Sequence, residues 1–287
     1  MSTGAATRGD GREFDRVAGD YDRVRPTYPD ELVDRACQIA GLAPGDRVLE
    51  VGCGTGQLTQ SLVARGLNVT AIDRGANLLA LARRRARLGP AEFVNARFED
   101  AMPSGGRFRA VFSASAFHWI DPDVSWRRAA DLLEPAGTLA LIQYCGLQEE
   151  SSRSDHAALL GAMARVAPEL AARWPPLRDL AAIEAGARQR SANVSEVWSW
   201  VAGHDVARAQ AAALFGEAEL TTAVPRVIEQ TADELNGLMR TTSFYLALSP
   251  AQRSALERES VALQERVGRP IRSGMIDVLV TARTRAP

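Results

Sequence analysis

The segment 48–59, VLEVGCGTGQLT, constrains this chain more than any other. An apolar run leads into Gly52, Gly54 and Gly56, and residues at helical spacing follow. Glycines at a strand-to-helix turn take up dihedrals that other residues avoid and let the backbone come close to a ligand. The next apolar run, NVTAID, ends at Asp73, where a carboxylate at the end of a second strand can accept both hydroxyls of a ribose. A glycine turn followed by that acid implies a nucleoside ligand.

The same alternation of short apolar runs with longer helical stretches continues to Tyr144, as expected of βαβ units around a parallel sheet. Strands are expected at 47–51, 68–73, 92–96, 110–114 and 138–144. Helices are expected at 57–65, 76–88 and 125–133, the last capped by Asp123. A helix at 28–40 is started by Pro29 and Asp30 and stopped by Gly41. Residues 146–216 are alanine-rich, broken at Pro175 and Pro176, and too long for a structureless loop. They predict a helical cap over the substrate site.

Residues 217–287 then supply a strand near 220–231, a helix after Ser249 and Pro250, and a last strand at 276–285, completing the sheet. The expected architecture is α/β: a Rossmann-like, seven-stranded, mostly parallel sheet with an antiparallel last strand, helices on both faces and an inserted helical cap. Residues 1–13 are expected to form a disordered tail, and 14–145 to hold an N-terminal helical element and the first part of the core.

Composition narrows the chemistry. All 34 positive charges are arginine, so a Walker-type phosphate loop, pyridoxal chemistry and Schiff-base aldolases are excluded for want of a lysine. A net charge of -1 gives no electrostatic footprint for nucleic acid or an anionic membrane, leaving small molecules or protein as the expected partners. Cys37, Cys53 and Cys145 are far apart and contain no CxxC pair, which indicates neither a disulfide framework nor a zinc site. With no apolar leader core and no long apolar span, a reducing cytoplasm is expected.

The glycine spacing distinguishes between nucleosides. A dinucleotide fold carries GxGxxG, whereas Gln57 stands in place of that third glycine and the pattern here is GxGxG preceded by Glu50. The segment resembles the first motif of class I S-adenosylmethionine-dependent methyltransferases, E/D-x-G-x-G-x-G. LLEPAGTLAL at 132–141 is similar to that family's "LkPGG" turn into strand five, with Ala136 in a glycine position. SAFHWIDP at 115–122 and FDRVAGDYDRVRPTYPDEL at 14–32 resemble segments of the small-molecule branch of the trans-aconitate type.

The resemblance implies that Glu50 and the backbone of Gly52, Gly54 and Gly56 line the methionine side of S-adenosylmethionine, with Asp73 on the ribose beside Arg74. It places Arg97 and Phe98 about the adenine, the Ala114 carbonyl near the ammonium, and Tyr21 and Arg25 over the cofactor, Arg25 facing its carboxylate. The sulfonium methyl is already activated, so the protein's task is to position a nucleophile for in-line displacement.

His118, just past strand four, is the candidate general base, with a packing role beside Trp119 as the alternative. Tyr28, Trp119, Tyr144, Trp200, His204 and Tyr245 are the candidate acceptor-binding residues, although buried aromatics also serve simply as core. SASA at 113–116 stands where amino-methylating nucleic-acid enzymes carry (D/N/S)PP(Y/F). A cofactor-binding protein that does not methylate, and a nicotinamide oxidoreductase, are the alternative readings.

Overall fold

The computed structural model describes residues 12–85, 89–172, 174 and 176–285. Among them, β1 (Arg47–Val51), β2 (Asn68–Asp73), β3 (Ala91–Asn95), β4 (Phe108–Ala114), β5 (Leu133–Gly146), β6 (Glu219–Thr222), β7 (Arg226–Gln230) and β8 (Ile271–Arg283) form one sheet. Its order is β3-β2-β1-β4-β5-β8-β6, with β7 also paired to β8. Strands β1 to β5 are parallel, and β8 runs antiparallel to β5, β6 and β7.

Eight strands replace the expected seven because the run at 220–231 is split. Pro225 has no amide to give a ladder, so the edge breaks between β6 and β7.

The helices before β5 are α1 (Arg12–Arg16), α2 (Ala18–Val24), α3 (Asp30–Ala40), α4 (Gln57–Ala64), α5 (Ala76–Arg85) and α6 (Pro122–Leu132). Gly41 stops α3 with φ 62°. The cap of α6 is Asp121, not Asp123: its carboxylate accepts the Asp123 amide at 3.0 Å, because Pro122 occupies the first helical position, where a missing N–H loses nothing. Residues 1–11 of the expected tail and 86–88 of the helix expected at 76–88 lie outside the described residues.

After β5 come α7 (Arg153–Val166), α8 (Pro168–Ala171), α9 (Leu180–Arg188), α10 (Val194–Ala202) and α11 (Ala211–Leu214); after β7 come α12 (Ala232–Met239), α13 (Ser243–Leu246) and α14 (Pro250–Val267). The two-residue strand period divides the core into two faces. Leu49, Val51, Val111, Leu139, Leu141 and Val280 fill one with Trp126 and Trp198. Val48, Ala110, Ile142 and Leu279 fill the other with residues of α3 and α4.

The 146–216 stretch therefore does two jobs. Ile183, Val197, Trp198 and Val201 place α9 and α10 in the sheet core, since so broad an apolar stripe has to be buried. Helices α7 and α8 instead pack with α12 to α14 around Leu235, Leu256 and Leu263, so the outlying helical layer draws on both segments. Buried Asp155 ties α7 to the start of β8 through Arg269 at 2.7 Å and the Arg272 amide at 2.8 Å. No described helix is long and apolar enough to cross a membrane.

Candidate active site

A cavity of about 610 Å³ opens where β1, β2 and β4 end at Val51, Asp73 and Ala114, the side on which open α/β sheets take ligands. Its floor is the glycine turn. The Gly52 and Cys53 amides donate to the Ile72 carbonyl at 2.8 and 3.1 Å, and the Gly56 amide donates to Cys53. Asp73 accepts the Gly54 amide at 2.9 Å and the Gly75 amide at 2.8 Å. The turn thus presents close-approach backbone with those amides already engaged, unlike a phosphate cradle that aims its amides outward. Burial raises the Asp73 carboxyl above its ordinary range.

Gly52 has φ 71°, and a Cβ there would lie 2.4 Å from the Ala116 Cβ, so glycine allows the segment after β4 to cross the turn. Gly56 serves packing rather than the cavity wall. Its φ is 86°, and a Cβ would meet the Ala82 backbone at 3.0 Å, so it lets α4 begin against α5.

Glu50 is likewise not on the wall. It alternates with Leu49 and Val51, so the strand period turns it to the opposite face, where Thr59 on α4 donates to it at 2.5 Å. Burial pushes its carboxyl up to about 8.

The N-terminal helices close one side of the cavity with Phe14, Tyr21 and Arg25. Three contacts hold them. Asp15 accepts the Asn77 and Leu78 amides at 2.8 and 3.1 Å, filling open donors at the start of α5. Asp22 pairs with Arg85, and Arg25 donates to the Thr241 hydroxyl at 3.0 Å. The Arg25 guanidinium lies 4.8 Å over the Tyr21 ring and 5.7 Å over Tyr144. Tyr28 packs instead against the α3 side of the core and is not on the wall, and burial raises its hydroxyl pKa.

Arg74, Arg97 and Phe98 line the cavity on the Asp73 side, and Ala114 lines it across β1, at the end of β4. Arg97 is half-exposed and donates to Glu99 at 3.0 Å. Burial acts to raise the Glu99 carboxyl, but bonding from Arg97 and nearby amides outweighs it and holds the pKa low.

Past β4, Ser115 takes φ 52°, the left-handed region, and its amide donates to Ile142 at 2.8 Å. That turn starts a short helical turn, Phe117–Trp119, which brings His118 and Trp119 to the cavity. His118 is buried and stacks on His204 with centroids 4.2 Å apart and planes 6° from parallel. Tyr144 joins the same wall.

Besides Tyr28, two more expected acceptor residues do not line the cavity. Trp200 packs behind it, donating to the Ile183 carbonyl at 3.1 Å. Tyr245 is buried with Leu248 and Leu256, its hydroxyl donating to Glu257; its neighbour Phe244 faces the cavity, since successive helical residues point about 100° apart.

Sequence reasoning did not assign Phe14, Glu99, Ser115, Cys145, Trp174 or Arg178 to the site, though all six line it. Only Phe14 and Ser115 fell within segments whose resemblance marked them for inspection.

Residues 48–137 match the methyltransferase domain family. An uncharacterized methyltransferase of Mycobacterium tuberculosis (strain ATCC 25618 / H37Rv) is 37% identical over 129 residues, which are 45% of this chain and 51% of that protein. The chain thus spans about half the length of the curated relatives it matches. A Thiobacillus denitrificans S-adenosylmethionine-dependent methyltransferase, solved with S-adenosyl-L-homocysteine, superposes with TM-score 0.50 and 17% identity over 93% of this chain and 98% of that one. The [4+2]-cyclase SpnF gives TM-score 0.52 and 14% identity, covering 100% of this chain and 99% of that one. These likenesses show the Rossmann-like fold.

Proposed function

We propose that the protein is an S-adenosylmethionine-dependent methyltransferase that methylates a small organic acceptor at oxygen, nitrogen or carbon. The observation that carries this reading is the glycine turn clamped to Asp73 at one end of the cavity. The match of residues 48–137 to a methyltransferase domain supports it. The residues fit the cofactor: a cavity of about 610 Å³ suits a small-molecule site, and a turn with inward amides suits an uncharged ribose better than a pyrophosphate.

Asp73 would hold the ribose, Phe98 the adenine and Arg25 the amino-acid carboxylate. When bound, the cofactor supplies a methyl already activated on a sulfonium, so no covalent enzyme intermediate is needed. Phe14 and Trp119 pack edge to face on the cavity wall with ring centroids 5.4 Å apart and would shield the bound cofactor from water. His118, held by its stack on His204, takes the proton of an acceptor hydroxyl or amine; a carboxylate acceptor would need no base.

Calorimetry with S-adenosylhomocysteine, followed by methyl-labelled cofactor and a panel of small acceptors, tests the proposal. Absence of cofactor binding refutes it. A product isomeric with its substrate, rather than one methyl heavier, would replace transfer by rearrangement.

A further inference from the structure

We infer that the acceptor is an organic acid with an apolar body, recognised through its carboxylate by Arg178; this rests on the proposed methyl transfer and names its acceptor class. The part of the cavity away from Asp73 is walled by Trp119, Leu177, Val201, Phe244 and the two stacked histidines. Arg25, bonded to Thr241 beside this wall, is assigned to the cofactor carboxylate, which leaves Arg178 as the permanently charged side chain for the acceptor among the described residues.

Its position is fixed. Arg178 forms a bridge with Leu147, and its carbonyl accepts the Gln148 amide at 2.9 Å. The guanidinium donates through one nitrogen to the Trp200 carbonyl at 2.7 Å and lies 3.6 Å over the Trp200 ring. Gly186 gives that indole its place, since a Cβ there would fall 2.2 Å from the ring.

Charge complementarity then identifies the ligand. Arg190 lies 4.4 Å over the same ring, and neither arginine is in an ion pair with a carboxylate among the described residues. Two guanidinium groups thus share one indole, and burial together with Arg190 disfavours the Arg178 charge.

A partly desolvated arginine with a carbonyl and a ring, but no anion, leaves planar N–H donors open to a bidentate partner. The planar N–H pair of that fork matches the two oxygens of a carboxylate. The carboxylate serves as the handle, and Trp200 is a positioning residue that acts through Arg178. This gives the indole a place in recognition although it does not line the cavity.

The test uses the full chain preloaded with S-adenosylhomocysteine and calorimetry with matched pairs: benzoate against benzamide, and phenylacetate against phenylacetamide, with phenyl phosphate as a third arm. The cofactor titration reports on the methyltransferase reading, and the acid–amide comparison reports on this one. Each acid should bind about 10-fold or more tighter than its amide, as a charge-assisted bidentate pair predicts.

Arg178→Gln should abolish the preference while S-adenosylhomocysteine still binds. Trp200→Ala should abolish it too, and Trp200→Phe should restore part of it by returning a ring face. Equal affinities within the pairs, no binding of any probe, a preference for phenyl phosphate, or a preference that survives Arg178→Gln would each overturn the inference. The wild-type comparison decides the matter even if a variant fails to fold.

Discussion

Replacing Glu50 by glutamine should stabilise the protein above neutral pH and leave it nearly unchanged in acid. The Glu50 carboxyl is 1% exposed, beneath α4, and its pKa rises from the ordinary 4.5 to about 8 chiefly through desolvation. In the unfolded chain it ionises first, so the folded state holds the extra proton across this window. Stability is therefore fully present below the unfolded pKa and falls as pH rises through the folded one.

At about 1.4 kcal/mol per pKa unit, the window sets a ceiling of about 5 kcal/mol for the ionised carboxylate at pH 9. The substituted amide would carry no charge to desolvate and can still accept from Thr59. Urea unfolding of both proteins from pH 5 to 9 reads the effect directly. The difference between them should grow from near zero at pH 5 and level off above pH 8. Parallel pH profiles would refute the burial argument. A variant that is stable but binds S-adenosylhomocysteine about 10-fold or more weaker at every pH would return Glu50 to the cofactor wall.

Three further predictions follow from backbone geometry and the carboxylate clamp. Ala136 is exposed with φ 60°, so Ala136→Gly should raise stability in urea unfolding by about 0.5–1 kcal/mol, the left-handed penalty less the entropy that glycine gains when unfolded; a loss of stability would count against the strain. Gly52→Ala should lose about 2–5 kcal/mol, combining a left-handed alanine with overpacking against Ala116. Adding Ala116→Gly should recover the overpacking share, about 1–3 kcal/mol, and additive losses would show that no such contact exists. Asp73→Ala should weaken S-adenosylhomocysteine binding by about 100-fold or more, since two loop amides lose their acceptor along with the proposed ribose contact; unchanged calorimetric affinity would remove Asp73 from the site.

Local signals explain why so much of the core was legible. The limits of β1 and β2 were read correctly because a buried parallel strand is a short apolar run ended by a conformational break. The start of α14 was legible from Ser249 and Pro250, and the structure completes it with a capping box to Gln252. Asp123 was misread as a cap because carboxylates at 121 and 123 are equivalent on paper, and Pro122 decides between them. Tyr245 and Phe244 are adjacent aromatics whose roles differ only in the direction each faces. No one-dimensional pattern contains that direction.

The sequence by itself determined the parallel α/β core, the glycine turn and its pairing with Asp73, because each is dictated by residues close along the chain or by period-two burial. Only the tertiary structure decided which of those residues face the cavity. It moved Glu50 beneath α4, used Gly56 for helix packing, stacked His118 on His204, and set Arg178 on Trp200 at the far wall. Each depends on which faces meet when distant segments fold together, and so on packing volume and charge compensation in three dimensions rather than on local preference.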